Sequence, residues 1–197
     1  MRRGKEQAEG RLVQFDADRP AVEAAKRDAR RFEALYRKYV AQVYSFALYE
    51  TRDHHSAQDV TSLVFLRALS GLHGFREQAQ PPDSSFRVWL FQIARNTLSN
   101  ERRRERRHPE APLDLAAHFP AKQDVEQTAV SRDELVRAWQ VIEELPPDRR
   151  RALVLRFVEE MSAAEIGAVL GRSEGAVRVL IHRAVRSVAQ HLGHRSD

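Results

Sequence analysis

Apolar residues recur at steps of three and four along most of the chain, which is the spacing of one face of an α-helix. The clearest run comprises Phe32, Leu35, Tyr36, Tyr39, Val40, Val43, Tyr44 and Ala47. This run belongs to a helix that is predicted to begin at Pro20. No stretch alternates apolar and polar residues as a strand does, so the predicted fold class is all-α.

Two further helices are predicted in the first half of the chain. One has a capping pair at Ser56 and Asp59 and ends near Leu72, ahead of a loop that spans residues 74–85. The other is capped by Ser84 or Ser85 and ends in an arginine-rich run, residues 102–107, before a proline stops it.

Breaks in this pattern divide the chain into two helical domains. The linker, residues 108–124, holds three prolines that prevent a regular helix and predict an extended connection. It separates a first domain, residues 20–107, from a second, residues 125–197. Residues 1–19 mix charges without a period, which predicts a disordered arm.

Residues 162–184 have the capping and turn residues of a helix-turn-helix. Ser162 and Glu165 form a capping box, Gly171 suits a left-handed turn, and Ser173 can cap the next helix. The outward positions of that helix are Glu174, Gly175, Arg178, His182, Arg183 and Arg186. Such a face suits a DNA major groove, but an αα-hairpin with a solvated basic face fits the same pattern.

The third helix carries a second set of residues that can contact nucleic acid. Asn96 and Asn100 lie one turn apart beside Arg95, and the arginine run follows them. Asparagine can pair with base edges and arginine with phosphate, although an arginine run also fits the favourable charge at a helix C-terminus. Trp89 lies among apolar residues of the same helix and is predicted to be core.

The composition of the chain excludes several kinds of functional site. The chain has 33 Lys and Arg, 28 Asp and Glu and a net charge of +5, so the placement of charge matters more than its sum. No cysteine is present, which excludes disulfides, thiolate nucleophiles and thiolate zinc sites. No signal peptide or membrane span is visible, which places the chain in the cytoplasm.

An enzyme finds little support in the sequence. There is no phosphate loop, no HExxH motif and no nucleophile elbow. Asp53, His54 and His55 suit the polar entrance of a helix better than a metal site. We therefore expect no catalytic residue, no metal and no cofactor.

With its parts in this order, the chain resembles the extracytoplasmic-function class of bacterial sigma factors. The motifs that carry the resemblance are residues 55–68, 85–96, 145–152 and 162–184. The resemblance implies a sigma-2 body that binds core RNA polymerase and opens the minus-10 element, and a sigma-4 body that reads the minus-35 element. It also implies promoter DNA and an anti-sigma factor as partners.

Site residues follow from the resemblance in three groups. The polymerase-binding group is Asp59, Leu63, Phe65, Leu66 and Arg67. The minus-10 group is Phe75, Arg76 and Gln78, in a loop that matches the family's pocket for a flipped base, together with Arg95, Asn96, Asn100 and Arg103. The minus-35 group is Arg172, Ser173, Glu174, Arg178, His182 and Arg183.

The chain departs from the family at specific positions. Ser62-Leu63 replaces a frequent Gln-Glu pair and removes a carboxylate from the polymerase contact, and Val179-Leu180 replaces a frequent Ser-Arg pair in the last helix. The loop around Pro81-Pro82 is also longer than usual.

Two other kinds of protein remain as alternatives. An ordinary repressor would share the helix-turn-helix but would not need residues 89–96. A pure interaction protein fits the N-terminal arm but leaves both basic surfaces unused.

Overall fold

The computed structural model describes residues 16–77, 84–105, 140–142 and 144–193. All regular structure within these ranges is helical, which confirms the all-α fold class. The helices are α1 (Arg19–Arg27), α2 (Glu33–Thr51), α3 (His54–Gly71), α4 (Ser85–Glu105), α5 (Pro147–Leu153), α6 (Ala163–Leu170) and α7 (Glu174–Gly193). Short 3-10 turns lie at Ala29–Phe32 and Leu72–Gly74, and a π-helical turn lies at Val154–Val158.

Helices α2, α3 and α4 pack together and form the first body. The apolar stripe predicted for α2 supplies its core, where Leu35, Val43 and Phe46 are fully buried against Phe86 and Phe91 of α4. Burial of each such side chain contributes roughly 2 kcal/mol, so this stripe fixes which face of α2 turns inward.

Two helix starts differ from the sequence-based prediction. The helix predicted from Pro20 is interrupted at Asp28, which is extended and whose side chain accepts a hydrogen bond from the Arg30 amide. The capping pair predicted at Ser56 is wrong, because Asp53 caps α3 and accepts from the Ser56 amide at 2.7 Å. That hydrogen bond lowers the pKa of Asp53.

The prediction of a disordered arm is wrong for residues 16–19. Asp16 and Asp18 are each only 2% exposed, and their carboxylates accept hydrogen bonds from Ser85 and Ser84 at the start of α4. Residues 16–19 are therefore held in place, because the buried carboxylates of Asp16 and Asp18 accept from donors far along the chain. Residues 1–15 lie outside the described residues.

The second body contains the helix-turn-helix. The capping box predicted at Ser162 and Glu165 is confirmed, and Gly171 adopts the left-handed conformation with φ of 68°. Ser173 caps α7 by accepting from the Ala176 amide at 3.2 Å.

The two bodies lie against each other. Helix α4 packs on α6, and residues of the second body such as Leu155, Met161 and Ile166 share one apolar cluster with α2, α3 and α4. The predicted linker falls in residues 106–139, outside the described residues, and its boundaries stay a prediction. In this arrangement the bodies are closed on one another.

Candidate nucleic-acid interfaces

Helix α6 and the turn that follows it position the proposed recognition helix. Gly167 faces the turn so closely that a Cβ at this position would lie 2.6 Å from the carbonyl oxygen of Arg172. Ile166 and Val169 of α6 and Val177 of α7 are fully buried at the contact. The close approach and this small apolar contact together fix the direction in which α7 leaves the body.

The exposed face of α7 carries the residues predicted to read the minus-35 element. Arg178 is paired with Glu174 at 2.5 Å, but both are well exposed, and an exposed pair of this kind contributes little stability. Arg178 is therefore easily released to a nucleic acid. The structure leaves these residues exposed on or just before α7: Arg172, Ser173, Glu174, Arg178, His182 and Arg183.

Two members of this group have partners of their own. Arg172 pairs with Asp148, and the Ser173 hydroxyl already serves as the α7 cap. The two residues of α7 that depart from the family's frequent Ser-Arg pair differ in exposure. Val179 is 48% exposed, whereas Leu180 is half-buried.

The minus-10 residues on α4 fall into two environments. Asn96, Asn100 and Arg103 are exposed. Arg95 is half-buried, and its guanidinium donates from Nη1 to the carbonyl oxygen of Val169 at 2.7 Å. A cation at the C-terminal end of a helix is favoured by the helix dipole, so α6 holds Arg95 in this arrangement.

Further polar contacts join the two bodies beside Arg95. Gln92 donates to the carbonyl oxygen of Ala168 at 2.8 Å, and Arg87 lies 3.9 Å from the buried carboxylate of Glu165. Arg87 also donates to the carbonyl oxygen of Glu159. All of these contacts use α4 and so cover part of the face that carries Arg95.

A deeply buried ion pair between the bodies is formed by Glu50 of α2 and Arg151 of α5. Their side chains are 2% and 12% exposed, and Nη2 and Nε of Arg151 donate to one Glu50 oxygen at 3.0 and 3.2 Å. Sequence reasoning missed this pair. A signal was present, because Glu50 continues the helical stripe of Val43, Phe46 and Ala47, where a charge needs a partner.

Of the three loop residues predicted to hold a flipped base, the structure describes Phe75 and Arg76. Phe75 is 7% exposed and packs on Phe86 and Trp89, with ring centroids 5.9 and 5.1 Å away. Its ring belongs to the core and contributes only to the floor of a cleft, which corrects the expectation of an exposed stacking ring at Phe75. Arg76 is exposed, and Gln78 lies outside the described residues.

A cleft of about 190 Å³ lies between α1 and the start of this loop. Its floor is apolar, with Val22 and Phe75, and charged side chains of both signs surround it. The charged residues are Asp16, Arg19, Glu23, Lys26, Arg76 and Glu77.

The predicted polymerase-binding residues are spread over α3. Leu66 is 61% exposed, Leu63 is half-buried, and Asp59 is exposed and pairs with His55 at 3.4 Å. Phe65 is 5% exposed, with its ring 4.8 Å from Tyr36, so it supports the surface from beneath.

Neighbouring residues complete an exposed patch on α2 and α3. Arg67 is exposed and donates to the Thr97 hydroxyl at 2.7 Å. Tyr36 and Leu69, which sequence reasoning did not select, lie with Leu66 among the exposed apolar side chains.

A second apolar surface lies beside α7. Phe157 and Val185 are 62% and 45% exposed and line a groove of about 420 Å³. Phe157 lies within the π-helical turn at Val154–Val158, where one added residue per turn rotates side chains away from their positions in an α-helix.

Among the described residues, no group of His, Cys, Asp and Glu side chains could hold a metal ion. Within the same ranges, no helix has the length and apolar character needed to cross a membrane.

Comparison with known proteins places both bodies in one family. A model of sigma-70 region 2 matches residues 35–108, and a model of sigma-70 region 4 matches residues 135–188. The chain is 34% identical to the RNA polymerase sigma-H factor of Pseudomonas aeruginosa over 191 residues, which cover 92% of this chain and 96% of that protein.

Two more matches agree with this relationship. The ECF RNA polymerase sigma factor BldN of Streptomyces coelicolor is 32% identical over 175 residues, covering 87% of this chain but only 63% of BldN. Among solved structures, CnrH in complex with the cytosolic domain of CnrY matches with a TM-score of 0.67 and 26% identity, covering 91% of this chain and 99% of that one.

Proposed function

Because the chain belongs to the extracytoplasmic-function class of sigma-70 family sigma factors, we propose that it binds core RNA polymerase and directs it to promoters in the cytoplasm. In this proposal α7 reads the minus-35 element and the first body captures the opened minus-10 element. The observation that carries it is the pairing, in one chain, of an exposed basic recognition helix with a second exposed face at Asn96, Asn100 and Arg103. The protein itself catalyses no reaction.

The proposed domains are residues 20–107 for polymerase and minus-10 contacts and residues 125–197 for minus-35 contacts. An anti-sigma factor is the proposed regulatory partner. The match to CnrH, which was solved with the cytosolic domain of CnrY, supports regulation by a second protein.

The closed arrangement bears on how DNA is bound. While Nη1 of Arg95 donates to Val169 of α6, that donor is not available to promoter DNA. We propose that full use of Arg95 in promoter binding requires α4 and α6 to separate, which costs free energy in the free chain. Core polymerase would offset the cost by binding both bodies in the open form.

We expect the isolated chain to bind duplex promoter DNA weakly and to gain about 100-fold or more in specific affinity with core polymerase, because each DNA-reading surface is small. Fluorescence anisotropy of a labelled promoter, titrated with the chain in the presence and absence of core enzyme, measures this gain. Tight and specific binding by the isolated chain would support the repressor instead.

Two arginines of α7 are expected to differ in role. Arg178 lies near the start of the helix, so Arg178→Ala should lose roughly 1 to 3 kcal/mol and relax selectivity at one minus-35 position. Arg183 lies further along, so Arg183→Ala should weaken all promoters alike and lower the salt slope by about one unit. Transcription from a promoter library randomised at minus-35, at two salt concentrations, measures both effects.

A matched control for these variants lies on α2. Arg37 is exposed and pairs with Glu33 four residues earlier, as Arg178 does with Glu174. Arg37→Ala removes the same charge and the same type of pair, and it should leave base preference unchanged. If Arg178→Ala behaves like Arg37→Ala, α7 does not dock as proposed.

A further inference from the structure

The N-terminal residues contact the start of the loop assigned to the minus-10 element. Lys26 of α1 donates to the carbonyl oxygen of Phe75 at 3.2 Å, and its ammonium group lies 5.7 Å from the centre of the Phe75 ring. Two further contacts reach Glu77: Arg19 lies 3.6 Å away, and the Asp16 amide donates to the carboxylate at 3.3 Å.

The same N-terminal residues contact the other end of that loop. One Asp16 oxygen accepts a hydrogen bond from the Ser85 amide at 2.5 Å, while the other accepts from the Asp18 amide at 2.8 Å. Asp18 accepts from the Ser84 hydroxyl at 2.5 Å. Residues 16–26 therefore join two chain segments, 75–77 and 84–85, that bracket the loop.

Asp18 also ties this junction to the first body. Its second oxygen accepts from the Lys38 ammonium group at 2.5 Å, and the Tyr39 hydroxyl donates to the oxygen that receives Ser84. Burial and the hydrogen bond to Asp18 both raise the pKa of Tyr39, so its hydroxyl stays protonated and remains a donor. A continuous path of charge-assisted hydrogen bonds thus runs from α2 through Asp18 to Ser84.

Placing two carboxylates at 2% exposure is costly unless every oxygen is satisfied, and here each oxygen accepts at least one hydrogen bond. Tyr39 belongs both to this polar junction and to the apolar core of the first body, so the junction is anchored on that core. Both aspartates also precede the matched region 2 model, which begins at residue 35.

We propose that Asp16 and Asp18 are positioning residues for minus-10 recognition. They fix residues 75–77 and 84–85 against α2 and hold open the cleft between α1 and Arg76, which is lined by described residues. A cleft whose walls are already fixed loses less conformational entropy when a base binds, so the fixed geometry favours the base that fits it. This inference rests on the proposed function, because it assigns selectivity at the minus-10 element to that same body.

The test uses the full chain with core RNA polymerase and a promoter library randomised at both elements. Asp16→Asn and Asp18→Asn replace one acceptor with a donor that faces existing donors. Each should reduce base discrimination at minus-10 by about tenfold, the effect of losing one buried hydrogen bond to a charged group. Lys26→Met keeps the apolar stem but removes the bond to Phe75, and it should act in the same direction.

Asp28→Asn is the matched control, because Asp28 caps the 3-10 turn at Ala29–Phe32 and makes no hydrogen bond to the described residues that flank the loop. It makes the same chemical change in the same N-terminal region, and we expect an unchanged minus-10 preference. Minus-35 preference should be unchanged in every variant. Melting temperatures measured in parallel separate selectivity from stability.

If the three variants lower transcription equally from all promoters and keep the minus-10 preference, the aspartates are only structural and the inference is wrong. If Asp18→Asn fails to fold, Lys26→Met alone decides, since its side chain is partly exposed and lies outside the buried path. Failure of the unmodified chain and of Asp28→Asn to direct transcription from any promoter would instead refute the proposed function.

Discussion

Gly167→Ala is expected to destabilise the second body by about 3 kcal/mol and to abolish minus-35 recognition. Helix propensity alone predicts the opposite, since alanine within a helix is favoured over glycine by about 1 kcal/mol. The steric effect is larger here. A Cβ at residue 167 would lie 2.6 Å from the Arg172 carbonyl oxygen and 3.5 Å from the Glu174 amide nitrogen, and neither backbone atom can rotate away.

Urea unfolding of both variants, followed by circular dichroism, measures the effect. Gly175→Ala is the matched control for stability, because a Cβ at that position of α7 meets nothing within 4 Å. It should stabilise the chain by up to about 1 kcal/mol. Equal stability of Gly167→Ala and the unmodified chain would mean that α6 and the turn are further apart than described.

Arg151→Met is expected to shift the chain strongly toward an open arrangement. The substitution removes the Arg151 cation from the buried Glu50 carboxylate, and this loss matters only while the bodies are closed, since opening exposes Glu50 to water. Removing one partner of a buried pair costs about 3 kcal/mol or more, which changes the ratio of closed to open molecules by about 100-fold. The open form frees Arg95, so affinity for single-stranded minus-10 DNA should rise.

The absence of cysteine makes the distance between the bodies easy to measure. Labels at Arg30→Cys and Ala164→Cys, both exposed positions, report on the first and second bodies by energy transfer. Arg172→Met is the control, because it breaks the exposed pair with Asp148 within the second body. An unchanged distance in Arg151→Met would show that apolar contacts alone keep the bodies closed.

Local signals in the sequence predicted the parts of the fold that depend on neighbouring residues. The capping box at Ser162, the left-handed Gly171 and the basic face of α7 all follow from spacings of a few residues. The start of α3 shows that two local signals can compete. Asp53 and Ser56 are both residue types that cap helices well, and the extended backbone at Asp53 makes that residue the cap.

Contacts between distant residues could not be predicted in this way. Arg95 and Val169 are 74 positions apart, and Glu50 and Arg151 are 101 positions apart. Phe75 illustrates the consequence for site prediction: an aromatic residue at the start of a loop suggests base stacking, but its ring is covered by Phe86 and Trp89 of the following helix. Burial of this kind depends on the packing of whole helices.

The hydrogen bond between Arg95 and the end of α6 implies that DNA and the second body respond differently to ionic strength. The Val169 carbonyl offers a partial charge at short range and without mobile counterions, whereas a phosphate releases counterions when an arginine binds it. The buried Glu50–Arg151 pair is likewise poorly screened. Added salt therefore weakens the binding of Arg95 to DNA more than it weakens the contacts between the two bodies. The chain returns to its closed form as the electrolyte concentration rises.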